Sequence, residues 1–124
     1  MAEVSIHENA VLGDKDLQER LYAMNPEFGE YCVRVSGEAW GKPLLDQKTK
    51  ALIAIAVDIV IQAEGPPFAN HVDMAMKQGV TREELEELIL FMTIYAGFNK
   101  AGIYYGALDA ALGPRTASSG DAGA

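Results

Sequence analysis

One side chain in this sequence combines the chemistry and the setting needed to move protons near neutral pH. His71 lies in the run from Gly65 to Gly79, and apart from His7 near the N-terminus it is the only histidine, the residue type whose unperturbed charge change falls near neutrality. The run opens on Gly65-Pro66-Pro67 and closes on Gly79. Placed on a helix, Phe68, Val72, Ala75 and Gly79 share one stripe, and His71, three after Phe68 and four before Ala75, turns toward the packed side. That makes it a candidate general acid or base; the plain alternative is a hydrogen-bonded core histidine. Asp58 is the second odd residue, because it interrupts an apolar run and a buried carboxylate needs a partner. It is expected to pair or cap locally, or to reach an edge, rather than to catalyse. Cys32 is the single cysteine, which excludes an intrachain disulfide, a Cys-x-x-Cys redox pair and a zinc cluster.

The elements that must carry these residues all read as helices. Asp14 caps a short helix through Met24 with Leu17 and Leu21 inward. Asn25-Pro26 starts a second, with Phe28, Cys32, Val35 and Ala39 as its buried stripe up to Trp40 and Gly41 as its stop. Asp46 caps a third of about 18 residues, nearly apolar all round and so expected to be the buried centre. Glu64-Gly65-Pro66-Pro67 ends it, the His71 helix follows, and Thr81 with Glu84 forms a capping box for a fifth helix whose inner stripe is Leu85, Leu88, Ile89, Met92 and Tyr95. A last helix runs from Asn99 to Leu112, with Gly102 and Gly106 placed for close approach to another helix, and Gly113-Pro114 ends it. The fold class is therefore all-α, a single-domain bundle of six helices over residues 14–113, with 1–13 as an N-terminal arm and 114–124 as a disordered tail.

Composition narrows the functions open to such a bundle. A chain of 124 residues fits one domain. Its hydrophobic share is 49%, yet no apolar run reaches the roughly 18 residues of a membrane span. A net charge of −8, with acid gathered at Glu83-Glu84 and Glu86-Glu87, argues against nucleic acid as a partner. An anionic ligand would need a local group of Lys or Arg to overcome that field. The N-terminus lacks a basic region before an apolar one, so the expected compartment is the cytoplasm. So much apolar surface on small residues predicts a homo-oligomer.

Several motifs in order carry a more specific likeness: Gly37-Glu38-x-Trp40; Leu45-Asp46-x-Lys48-Thr49-Lys50; His71 followed by Ala75; Gly79-Val80-Thr81-x-Glu83-Glu84-Leu85-x-Glu87; and Tyr95-Ala96-Gly97-Phe98. Across residues 26–112 the chain resembles the carboxymuconolactone decarboxylase family, which also includes alkyl hydroperoxidase D-like proteins. The resemblance implies an all-helical fold assembled into trimers or hexamers, no metal or organic cofactor, and a small anionic metabolite from aromatic-compound breakdown as substrate. The peroxidase branch carries Cys-x-x-Cys-x-x-x-His, and here Glu64 and Pro67 stand at the two cysteine positions. Dithiol peroxide reduction therefore lacks its thiols.

The decarboxylase branch keeps the histidine without the cysteines. Loss of carbon dioxide from γ-carboxymuconolactone leaves an electron pair that spreads to the lactone carbonyl, so a donor must face the oxyanion and an acid must return a proton to carbon. The resemblance implies His71 for the proton. It implies Glu38, or Glu64, as the acid that orients the imidazole or delivers a proton itself. Lys48 and Lys50, with Arg34 or Lys42, are the implied holders of a dicarboxylate, and Trp40 is a candidate stacking surface beside its plainer reading as a core or interface side chain. Two places depart from the family: Ala51 where a glutamate is usual, and the Pro66-Pro67 pair in the turn before the histidine. They point to another lactone or a β-keto acid as substrate. The alternatives are a non-catalytic oligomeric binder of small acids with the same fold and, further off, a thiol peroxidase.

Overall fold

The computed structural model describes residues 9–115, and these form six α-helices in chain order with no strand among them. They are α1 (Lys15–Met24), α2 (Pro26–Trp40), α3 (Gln47–Ile61), α4 (Pro66–Lys77), α5 (Arg82–Ala96) and α6 (Phe98–Leu112). Residues 1–8 of the expected arm and 116–124 of the expected tail lie outside the described residues. Residues 9–13 form a turn that buries Ala10 and Val11.

Side-chain caps set most of the helix starts. Asp14 accepts from the Leu17 amide, Asn25 from Phe28, Asp46 from Thr49 and Thr81 from Glu84, each satisfying an amide that has no partner within its helix. At Thr81 the box is reciprocal, because the Glu84 carboxylate accepts the Thr81 amide at 2.9 Å. That bond, aided by Lys48, holds the Glu84 carboxyl below its ordinary pKa. Gly65 and Gly97 start α4 and α6 at φ of 73° and 109°, angles that favour glycine.

Two apolar clusters hold the bundle. The larger joins α3, α4, α5 and α6 through Ile55, Ile59, Phe68, Leu85, Ile89 and Tyr104. The smaller joins the 9–13 turn, α1, α2 and α4 through Val11, Leu17, Val33 and Met74. Trp40 packs against both.

Helix faces depart from expectation in four places. On α2 the buried stripe is Gly29, Val33 and Gly37, while Phe28 and Val35 are exposed. The reason is steric: a Cβ on Gly29 would lie 2.7 Å from the Tyr22 backbone and one on Gly37 2.5 Å from Leu12, so the glycines let α1 and its preceding turn close onto α2. Gly102 and Gly106 have no such neighbour within 4 Å. On α3 only Ala51, Ile55, Asp58 and Ile59 are buried, leaving Ile53, Val57, Val60 and Ile61 at the surface of the single chain. Tyr95 is 70% exposed, tilted against Phe91 rather than packed inward.

Candidate functional site

The α3–α4 hairpin brings together the two residues that stood out in the sequence. His71 Nδ1 lies 2.5 Å from Asp58 Oδ2. The Asp58 side chain is 6% exposed and that of His71 31%, so the pair runs from the protein interior to a cavity wall. Pairing, rather than an edge position, accommodates the buried carboxylate. Glu38 is not the acid that orients the imidazole: it is exposed on α2, and Asp58 occupies the ring nitrogen it would have needed. Ala51, where the family pattern suggests a glutamate, is fully buried. Asp58, two helical turns further along the same face of α3, supplies a carboxylate instead.

The backbone behind Asp58 is pinned from α6. Its carbonyl accepts the amides of Gln62 and Ala63 and the Tyr104 hydroxyl at 3.1 Å. That hydroxyl is also 3.1 Å from the Ala63 carbonyl, across the left-handed Gln62 that stops α3 at φ 59°. Burial of the Tyr104 phenol, then the charges of Glu64 and Asp58, push its pKa up, so it remains a donor. Its ring packs edge-on to Phe68 at 4.9 Å, which ties the same contact to α4.

His71 opens onto a cavity of about 210 Å³ between α1, α2 and the start of α4. With Nδ1 engaged, Nε2 is the ring nitrogen left for a ligand there. Asn70, Cys32 and Ser36 are the other polar members of the lining, with Cys32 Sγ and Ser36 Oγ 3.8 Å apart. Trp40 is part of the wall, as are Pro66 and Pro67, which enter α4 without amide donors. A carboxylate-held imidazole beside an apolar chamber can take a proton from a ligand or return one. Among the described residues no three His, Cys, Asp or Glu side chains come together to hold a metal.

The remaining charged candidates lie elsewhere. Lys50 Nζ donates to the carbonyls of Trp40 and Lys42 at 2.9 and 2.6 Å, capping the C-terminal end of α2. Lys48 pairs with Glu84 at 3.5 Å, and Arg34 pairs with Glu30 at 3.0 Å and covers the Tyr31 ring. Glu64 is exposed in the turn between α3 and α4. None of these residues, nor Glu38, lines the cavity. The physical reason for the lysines is that the first turn of α3 meets α2 and α5, whereas the cavity is walled by α1, α2 and α4. The Asp58–His71 contact had a readable signal: the two stand seven before and six after Gly65, so a hairpin turning there sets them opposite each other. Asn70 and Ser36 offered no comparable signal.

A six-helix bundle with a buried carboxylate paired to a half-buried histidine at an apolar cavity defines an all-α protein with a candidate acid–base site. Residues 26–111 match the family model of the carboxymuconolactone decarboxylase family, and the chain belongs to that family. It is similar to the 4-carboxymuconolactone decarboxylase of Acinetobacter baylyi (strain ATCC 33305 / BD413 / ADP1), at 36% identity over 91 residues covering 70% of this chain and 67% of that protein. No solved structure matches the chain. No helix among the described residues is long and apolar enough to cross a membrane.

Proposed function

We propose that this protein is a carboxymuconolactone decarboxylase-like enzyme that removes carbon dioxide from a small carboxylated lactone without a metal or organic cofactor. The observation that carries the reading is the 2.5 Å contact between His71 Nδ1 and buried Asp58 at the wall of the cavity. The similar Acinetobacter protein supports the choice of reaction.

In this reading the carbon–carboxylate bond breaks and carbon dioxide leaves. The electron pair spreads through the ring double bond to the lactone carbonyl oxygen, giving a dienolate. The His71 imidazolium then gives its Nε2 proton to carbon and is reprotonated from solvent, so the balance is one carboxylate and one proton converted to carbon dioxide and a carbon–hydrogen bond. Asp58 holds the ring in the tautomer with Nδ1–H inward and stabilises the imidazolium when it forms. The largely apolar chamber favours the step, since a carboxylate with little water around it expels neutral carbon dioxide more readily.

Purified protein incubated with γ-carboxymuconolactone should release carbon dioxide, and His71→Ala should lower kcat by about 10²–10⁴-fold. Normal turnover by that variant removes His71 from the mechanism. Saturable binding without product, detected by mass spectrometry, replaces the enzyme reading with that of a non-catalytic small-acid binder.

A further inference from the structure

Next to His71, a second polar group on the cavity wall is held in one orientation. Asn70 lines the same cavity, and its Oδ1 accepts the Nε–H of Arg20 at 3.0 Å. A guanidinium only donates, so this contact decides which end of the amide is which: the carbonyl faces Arg20 and the NH₂ group is left over. Arg20 is itself held, with Nη2 at 3.4 Å from Asp73 Oδ2. Asp73 also meets Lys77 at 3.1 Å, and Lys77 reaches Asp14, the cap of α1, at 3.0 Å. Asn70, Asp73 and Lys77 follow one another at three- and four-residue steps and so share the face of α4 that meets α1. The amide is thus oriented by a network spanning two helices, the arrangement expected of a preorganised donor.

The chamber also needs such a donor. No lysine or arginine lines it, and the reaction places negative charge on a lactone carbonyl oxygen only as carbon dioxide departs. A neutral amide meets that demand selectively, because it gains more from the oxyanion of the transition state than from the neutral carbonyl of the ground state. Resting on the decarboxylase reading, we propose that Asn70 is a catalytic residue whose Nδ2 donates to the lactone carbonyl oxygen that gathers charge, and that Arg20 is the positioning residue that holds Oδ1. Arg20 also polarises the amide and so strengthens its N–H groups as donors.

Steady-state kinetics on the full chain test the assignment. Asn70→Ala should lower kcat by about 10²–10³-fold with a smaller change in KM, as loss of one oxyanion donor does elsewhere. Asn70→Asp keeps the shape and the Arg20 contact but puts an acceptor where the donor was; it should be at least as impaired while retaining the wild-type unfolding midpoint. Arg20→Ala should cost about tenfold by loosening the amide, and Asn70→Ala combined with Arg20→Ala should be no slower than Asn70→Ala alone, since Arg20 acts through Asn70. If Asn70→Asp stays within threefold of wild type, or the two alanine losses multiply, the assignment is overturned.

A second readout does not depend on turnover. In ¹⁵N-labelled protein the Asn70 side-chain amide resonance, assigned by its absence in Asn70→Asp, should shift on titration with muconolactone, a stable lactone monocarboxylate. Absence of decarboxylation together with that shift overturns the enzymatic reading while supporting Asn70 as the donor to the lactone carbonyl. Decarboxylation without the shift, and with Asn70→Ala unimpaired, overturns the Asn70 assignment alone.

Discussion

In the proposed reaction the chemistry rests on which nitrogen of His71 faces the cavity, and the contact of Asp58 with Nδ1 leaves Nε2 for it. Asp58→Asn keeps the volume but removes the charge that balances an imidazolium, and its amide can donate to Nδ1 and so favour the opposite tautomer. Catalysis by a comparable aspartate–histidine pair falls by about 10⁴ on this exchange, and kcat here should fall by about 10²–10⁴-fold. Stability should change little, because replacing a buried charge by a neutral group of the same shape offsets the lost pairing with a smaller desolvation cost. Kinetics paired with urea unfolding check this, and ¹⁵N shifts of the His71 ring report the tautomer; unchanged kcat would remove Asp58 from the site. At this scale His71 was readable, since its type is rare in the chain and its register on α4 is set by Phe68, Val72 and Ala75. Lys48, Lys50 and Arg34 do not line the cavity of the single chain, because a charged residue's position along a helix does not say what that end of the helix meets. Lys50 meets carbonyls at the end of α2 and Lys48 meets Glu84.

Between helices, the joint that shapes the cavity is that of α1 with α2 and α4. Gly29 allows the α1–α2 approach, and the Arg20–Asp73–Lys77–Asp14 network ties α1 to α4. Burial alone would lower the Lys77 pKa, but the hydrogen bonds and charges of Asp14 and Asp73 outweigh it and hold the pKa above the ordinary 10.5. A cation whose folded-state pKa is raised stabilises the fold fully below its unfolded value and loses that contribution as pH rises through the folded one. Wild type should therefore lose stability above pH 10.5, whereas Lys77→Met should be weaker near neutrality and show a smaller alkaline loss. Chemical unfolding followed from pH 7 to pH 12 checks this, and parallel curves for the two proteins would refute it. Helix existence and ends were legible here because Asp14, Asn25, Asp46 and Thr81 announce themselves through local hydrogen bonds. Faces were less legible: on α2 the large residues Phe28 and Val35 marked the wrong stripe, because the partner helix comes close enough to accept only Gly29, Val33 and Gly37. Glycine spacing alone did not separate those contacts from Gly102 and Gly106, where an added Cβ would meet nothing within 4 Å.

For the molecule as a whole, exposed apolar surface lies at the cavity, where Met24 and Phe28 line it, and also on a second face away from it. Ile53 and Val57 on α3, Leu90 and Ile94 on α5 and Phe98 on α6 are between 47% and 72% exposed, on three helices that pack against one another. The α3 sequence is apolar nearly all round, and one chain fully buries only four of that helix's 15 residues. Exposed apolar surface spread over neighbouring helices is the mark of an association site, and closed symmetry is the usual way identical chains cover it. In solution at micromolar concentration the protein should therefore have a mass that is a small multiple of 13.4 kDa, with a trimer or hexamer expected from the family resemblance. Light scattering after size exclusion measures it, and a monomer across the accessible concentration range would refute the expectation. Ile94→Glu combined with Phe98→Glu should yield a monomer with unchanged helical circular dichroism, since neither side chain belongs to the core. No residue of α5 or α6 lines the cavity, so this monomer should keep turnover within a few-fold of the assembled protein. Loss of turnover with intact helicity would instead mean that a neighbouring copy contributes to the site that Asp58 and His71 build.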